Sequence, residues 1–110
     1  MLNSLKSIDN FINKNKFALI FFSSNNCSVC TVLLPKIEEM MKKYPEIKIK
    51  KVLIDEIKEA SGKYSIFTVP TILFFIDGKE IIRNGRFISV LELEKKIKKY
   101  YKIIKLDLGY

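Results

Sequence analysis

Phe17-Ala18-Leu19-Ile20-Phe21-Phe22-Ser23-Ser24-Asn25-Asn26-Cys27-Ser28-Val29-Cys30 is the stretch that decides how this chain folds. Its first six residues are apolar, and four of them favour strands. A run without polar alternation reads as a central strand covered on both faces. Ser23 to Asn26 are turn formers. Beyond them Val29, Val32, Leu33, Ile37, Met40, Met41 and Tyr44 recur at helical spacing, which predicts a helix over 27–44. The only two cysteines, Cys27 and Cys30, therefore sit where a strand gives way to a helix. In an intracellular chain near a βαβ pattern, that placement reads as a dithiol redox site.

Composition narrows the remaining choices. The 110 residues suit one domain, 1–110, and at 48% hydrophobic they can fill a core. No apolar run approaches the roughly 20 residues of a membrane helix. Phe17–Phe22 after Lys14 and Lys16 has a faint look of an export signal. It is short and late, and Asn25 and Asn26 stand where cleavage wants small residues. A cytoplasmic protein is expected, where a lone cysteine pair is catalytic more often than structural. The net charge of +8 comes from lysines spread along the chain. Lys95-Lys96 and Lys98-Lys99 fall on the polar side of a helix. This describes a solvated face, not a nucleic-acid stripe, and one that steers acidic protein partners. Two cysteines and no histidine leave no closed zinc site, so no metal or cofactor is expected.

Outward from the opening stretch, Leu5, Ile8, Phe11 and Ile12 mark a helix over 4–14, capped by Asn3 or Ser4. Strands are expected over 16–23 and 47–54. Asp55 is placed to cap a short helix carrying Ile57, Ala60 and Tyr64, with Gly62 near its end. A third strand covers 71–76. Asp77-Gly78 is a two-residue hairpin signal returning an antiparallel strand over 79–84, closed by Gly85. Ser89 caps a last helix through Val90, Leu93, Ile97, Tyr100 and Tyr101. The tail Ile104–Leu108 fits a helix extension, an edge strand or a partner contact. Pro35 lies inside the second helix and predicts a kink. The order α-β-α-β-α-β-β-α makes the first two strands parallel, with helices on both faces.

That order, with Cys27-x-x-Cys30 after the first core strand and Val69-Pro70-Thr71 opening the third, resembles the thioredoxin family over nearly the whole chain. Pro35, Lys51, Ile54, Asp55, Tyr64-x-Ile66, Asp77-Gly78 and Gly85 agree with it. The resemblance implies an α/β fold: a central mixed sheet of about four strands flanked by helices, the family's first edge strand missing unless Met1–Asn3 or the tail supplies it. It also implies a cis Val69–Pro70 bond lying against the cysteines. Three differences bear on rate, potential and partner choice. Asn26 replaces the usual Trp, Ser28-Val29 the usual Gly-Pro, and Phe21 the buried acid.

On this reading Cys27 is the nucleophile and Cys30 resolves. Val69, Pro70, Asn26, Ser28 and Val29 contact the substrate, with Pro35 and Lys51 in support. Partners are disulfide-bearing proteins and a thioredoxin-reductase-type flavoenzyme as electron donor, with no nucleic acid or membrane, and the chain acts as a monomer. A glutaredoxin-like, glutathione-using enzyme and a binding module with little catalysis are the alternatives. Phe17, Phe21, Phe22, Phe74 and Phe75 are assigned to the core. Phe67 suits core and groove equally.

Overall fold

A computed structural model describes residues 1–107. The elements run α1 (Leu5–Lys14), β1 (Phe17–Ser23), α2 (Ser28–Met41), β2 (Ile47–Leu53), α3 (Lys58–Lys63), β3 (Thr71–Ile76), β4 (Lys79–Gly85) and α4 (Val90–Asp107). They form the expected mixed four-stranded sheet in the order β2-β1-β3-β4. β1 pairs parallel with β2 and antiparallel with β3, and β4 returns antiparallel.

Both faces of β1 are covered, so all seven of its residues are buried. Phe17, Leu19 and Phe21 join the core under α2 and α4, with Cys30, Ile37, Leu93 and Ile97. Ala18, Ile20 and Phe22 join the core under α1 and α3, with Ile8, Phe11, Ile12 and Ala60. The period of two sends alternate side chains to opposite layers. The five phenylalanines assigned to the core are all buried. β2 lies outside β1 and is half covered: Ile47 and Val52 are buried while Lys48 and Lys50 face solvent. Its outer side meets one backbone bond, from Leu2 N–H to the Lys51 carbonyl at 3.1 Å. This single bridge stands where the family's first strand was expected to be missing.

Local chemistry sets the element ends. Ser4 caps α1 reciprocally with Ser7. Asp77 and Gly78 both take positive φ, 51° and 82°, as their hairpin turn requires. Ser89 Oγ accepts the Glu92 N–H at 3.2 Å at the start of α4. Two expectations need correction. α2 starts one residue later than predicted and ends at Met41, three residues early, because Lys42 to Tyr44 close on short i→i−3 turns. Asp55 does not cap α3: the N-cap is Ile57, with no side-chain bond. Gly62 is the next-to-last residue of α3, near its end as expected, and the left-handed residue beyond the helix is Ser65, at φ 55°. The tail continues α4 to Asp107; the rest of that segment, Leu108 included, lies outside the described residues.

Two polar clusters tie helices together, one on each face of the sheet. On the α2/α4 side, Tyr44 donates to Glu94 at 2.9 Å and Lys43 reaches the same oxygen at 3.3 Å. Burial first, then the Glu94 carboxylate, pushes the Tyr44 phenol up to about 12. On the other side Asp9 of α1 receives Lys63 and Tyr64, binding α1 to the end of α3. Those two hydrogen bonds hold the Asp9 carboxyl below its ordinary range. A depressed folded-state value contributes stability above the unfolded carboxylate value of about 3.9, lost as pH falls through the folded one. Asp9→Asn should therefore lower Tm near neutral pH by a few degrees, or about 1 kcal/mol. The gap to wild type should close toward pH ~2. Thermal melts against pH check this; a pH-independent gap would assign the loss to packing.

Candidate active site: the Cys27–Cys30 pair

Three strand ends meet where β1 finishes. Phe22 of β1 is registered opposite Thr71 of β3, and Thr71 opposite Gly85 of β4. Antiparallel pairing brings the exit of β1, the entry of β3 and the exit of β4 to one end of the sheet. Parallel β2 exits there too, with Leu53 beside Ser23. Each exit or entry leads within a few residues to a site segment.

After Ser23 the chain turns, and the Cys27 N–H donates to the Ser24 carbonyl at 3.4 Å. Cys27 is the N-cap of α2, and its sulfur accepts the Cys30 backbone N–H at 3.2 Å. Its carbonyl accepts Thr31 N–H at 3.4 Å and Thr31 Oγ1 at 3.3 Å. The two cysteines are joined as a disulfide with Cα atoms 5.3 Å apart. They are unequally placed. Cys27 is half-buried, whereas Cys30, one turn on, is 3% exposed and packs in the core with Phe21. Asn26, Ser28 and Val29 are exposed around them.

The Val69–Pro70 bond is cis. Val69 packs against the same core cluster as Cys27, and Pro70 is buried. Neither the N–H nor the C=O of Val69 is bonded within the described residues. The Pro70 carbonyl accepts the Arg86 N–H at 3.1 Å, and Thr71 Oγ1 donates to the Thr68 carbonyl at 2.7 Å. Sequence reasoning missed a clamp on this loop. Arg83 of β4 donates from Nη2 to the Tyr64 carbonyl at 2.7 Å and from Nη1 to the Ser65 carbonyl at 2.9 Å, while Glu80 accepts from Nε and from the same Nη2. A planar guanidinium reaches both carbonyls at once, which an ammonium does not do so rigidly. No local sequence signal points to that bond, eighteen and nineteen residues away along the chain.

Asp55 was legible but misassigned. Its carboxylate accepts the Asn25 N–H at 2.6 Å and so fixes the turn that presents Cys27. Behind the pair lies a cavity of about 310 Å³ lined by Cys30, Thr31, Pro35, Lys51, Ser24 and Asn25 among others. Lys51 is registered beside Phe21, on the α2 face of the sheet. It is half-buried and has no carboxylate partner among the described residues. Phe21 is fully buried, so no acid reaches Cys30 from that strand position. Pro35 is on the exposed side of α2, which passes through it as one element from Ser28 to Met41. Phe67 is exposed, which excludes it from the core. No helix of the described residues is long and apolar enough to cross a membrane.

The thioredoxin family model matches residues 2–107. The thioredoxin-like protein YdfQ of Bacillus subtilis is 41% identical over 102 residues, spanning 93% of this chain and 91% of that protein. A thioredoxin of Mycoplasmoides gallisepticum is 33% identical over 91 residues, spanning 83% of this chain and 91% of its own. Among solved structures, Fasciola hepatica thioredoxin has a TM-score of 0.81 at 32% identity, covering 89% of this chain and 95% of that one. A family match over almost every described residue, on a fold that carries its cysteine pair at the start of a helix, leaves one conclusion: the chain belongs to the thioredoxin family and is a thiol-disulfide oxidoreductase.

Proposed function

We propose that the protein reduces disulfides of partner proteins through its Cys27-Ser28-Val29-Cys30 pair. The carrying observation is the asymmetry of the cysteines: Cys27 half-exposed at a helix start, Cys30 buried behind it. A helix N-terminus has backbone N–H groups without intrahelical partners and a dipole that favours negative charge. An ordinary thiol, at about 8.5, is mostly protonated at neutral pH. The Cys30 N–H already directed at the Cys27 sulfur favours its thiolate.

Reduced Cys27 attacks one sulfur of the substrate disulfide. That bond breaks, and the departing sulfur takes a proton. Cys30 then gives up its proton and attacks the Cys27 sulfur. The mixed disulfide breaks and the second substrate thiol leaves, so two electrons and two protons pass to the substrate. The Cys27–Cys30 disulfide is the end state. A thioredoxin-reductase-type flavoenzyme returns the electrons. The free N–H and C=O of Val69 pair with an extended substrate segment as a strand edge does, while Pro70 brings no N–H to the sulfurs. Asn26, Ser28 and Val29 form the surface on which that segment rests, and Pro35 supports the helix beneath. Every part of this site comes from one chain, so a monomer suffices, working in a reducing compartment such as the cytoplasm.

Lys51 supplies positive charge to the cavity beside Cys30, where the family's acid is replaced by Phe21. A cation there favours the Cys30 thiolate, and water in the cavity takes the proton.

Three variants test this reading. Cys27→Ser should abolish insulin-disulfide reduction. Cys30→Ser should instead accumulate a covalent adduct with the substrate, visible by mass and released by dithiothreitol. An adduct on Cys27→Ser, and none on Cys30→Ser, would reverse the roles. Lys51→Met should slow the resolving step about three- to tenfold at neutral pH, with the deficit shrinking as alkali deprotonates Cys30 unaided. Stopped-flow decay of the mixed disulfide against pH measures it, and an unchanged rate would remove Lys51 from the mechanism.

A further inference from the structure

The register that gathers the site also gathers two side chains that no part of the cycle above uses. Gly85 lies opposite Thr71, and a Cβ placed on it would sit 3.4 Å from Thr71 Oγ1 and 3.6 Å from Thr68 Oγ1. The loop after β4 therefore runs against the loop that carries Phe67, Thr68 and Val69. Two phenylalanines stand out from these neighbouring loops, Phe67 at 89% and Phe87 at 97% exposed. Single exposed apolar residues are ordinary. Here two large rings flank one loop pair, and the active-site helix adds Val29 and Val32, which line a shallow apolar cleft of about 400 Å³ rimmed by Lys36.

Next to Phe87 sits Arg86, at φ 60°, with its N–H on the Pro70 carbonyl. Glycine adopts that backbone without steric cost, and a side chain does not. The chain carries arginine there nonetheless. Its guanidinium lies 5.9 Å over the Phe87 ring and has no carboxylate partner among the described residues. The chain's other arginine, Arg83, is bonded to Glu80 and to two carbonyls. Strained conformations held beside a reactive centre point to use of the side chain they carry. The carboxylate that reaches the site, Asp55, is already engaged by Asn25.

We propose that Phe67, Arg86 and Phe87 form a rim that selects the substrate. Its preferred occupant is an extended partner segment with an acidic residue near the reactive cysteine and an apolar residue beside it. The carboxylate pairs with the Arg86 guanidinium beside Phe87, and the apolar side chain rests against the rings, continuous with the strand-like pairing at Val69. This rests on the protein-disulfide reading above and names the substrate class for it.

The test uses two disulfide-linked peptides, each with Leu beside the reactive cysteine, differing only in Glu or Lys two residues away. The measured quantity is the second-order rate at which each oxidises the pre-reduced protein. The Glu peptide should react about tenfold faster, the ratio falling at high salt. Arg86→Gly, which also relieves the backbone, should bring the ratio to about one. The double variant Phe67→Ala, Phe87→Ala should slow both peptides several-fold and keep the Glu preference. Equal rates with wild type, or a preference that survives Arg86→Gly, would overturn the rim and leave the reductase reading standing. Failure of both peptides to oxidise the protein would sink the reductase reading and the rim with it.

Discussion

The antiparallel ladder between β1 and β3 is the constraint on which the site depends. β1 delivers the cysteines from its end, and β3 begins one residue after Pro70. Pairing Phe22 with Thr71 sets these two segments side by side before any site residue makes a contact of its own. A slip of one residue would displace the Pro70 loop from the cysteines. It would also turn Leu19, Phe21, Phe74 and Ile72 out of the layer they fill. The apolar residues on both faces of β1 therefore fix the chemistry as well as the fold: the cost of exposing either face holds the register.

Onto that frame the chain adds side-chain and backbone ties at each site loop. Asp55 holds the turn before Cys27, Arg83 holds the segment before Pro70, and the Arg86 N–H holds the Pro70 carbonyl itself. These ties position the loops and leave the Cys27 sulfur and the Val69 backbone open. Loops held by a few polar bonds at the end of a rigid sheet can present reactive groups without lending them the mobility of free ends.

The fold was readable because its signals are local. Apolar runs, a three-to-four helical spacing, Asp77-Gly78 and the caps at Ser4 and Ser89 each act within a few residues, and each formed as expected. The cysteine pair was readable for the same reason: its meaning comes from the strand before it and the helix after it. What escaped were contacts between residues far apart in sequence. The Arg83 clamp and the Asp9–Lys63–Tyr64 cluster join elements that no period or spacing relates. Asp55 looks like a helix cap because Asp often is one, yet the loop across the sheet end competes for its carboxylate and wins. The positive φ at Ser65 and Arg86 was hidden for a simpler reason: both are residue types that usually avoid it.

Everything chemical in this account follows from the unequal placing of two sulfurs on one helix start. Alkylation of the reduced, folded protein with limiting iodoacetamide near neutral pH, mapped by peptide mass, measures that inequality directly. Carbamidomethylation is expected at Cys27, with Cys30 spared until the chain is unfolded. Equal labelling of the two, or labelling of Cys30 first, would contradict it.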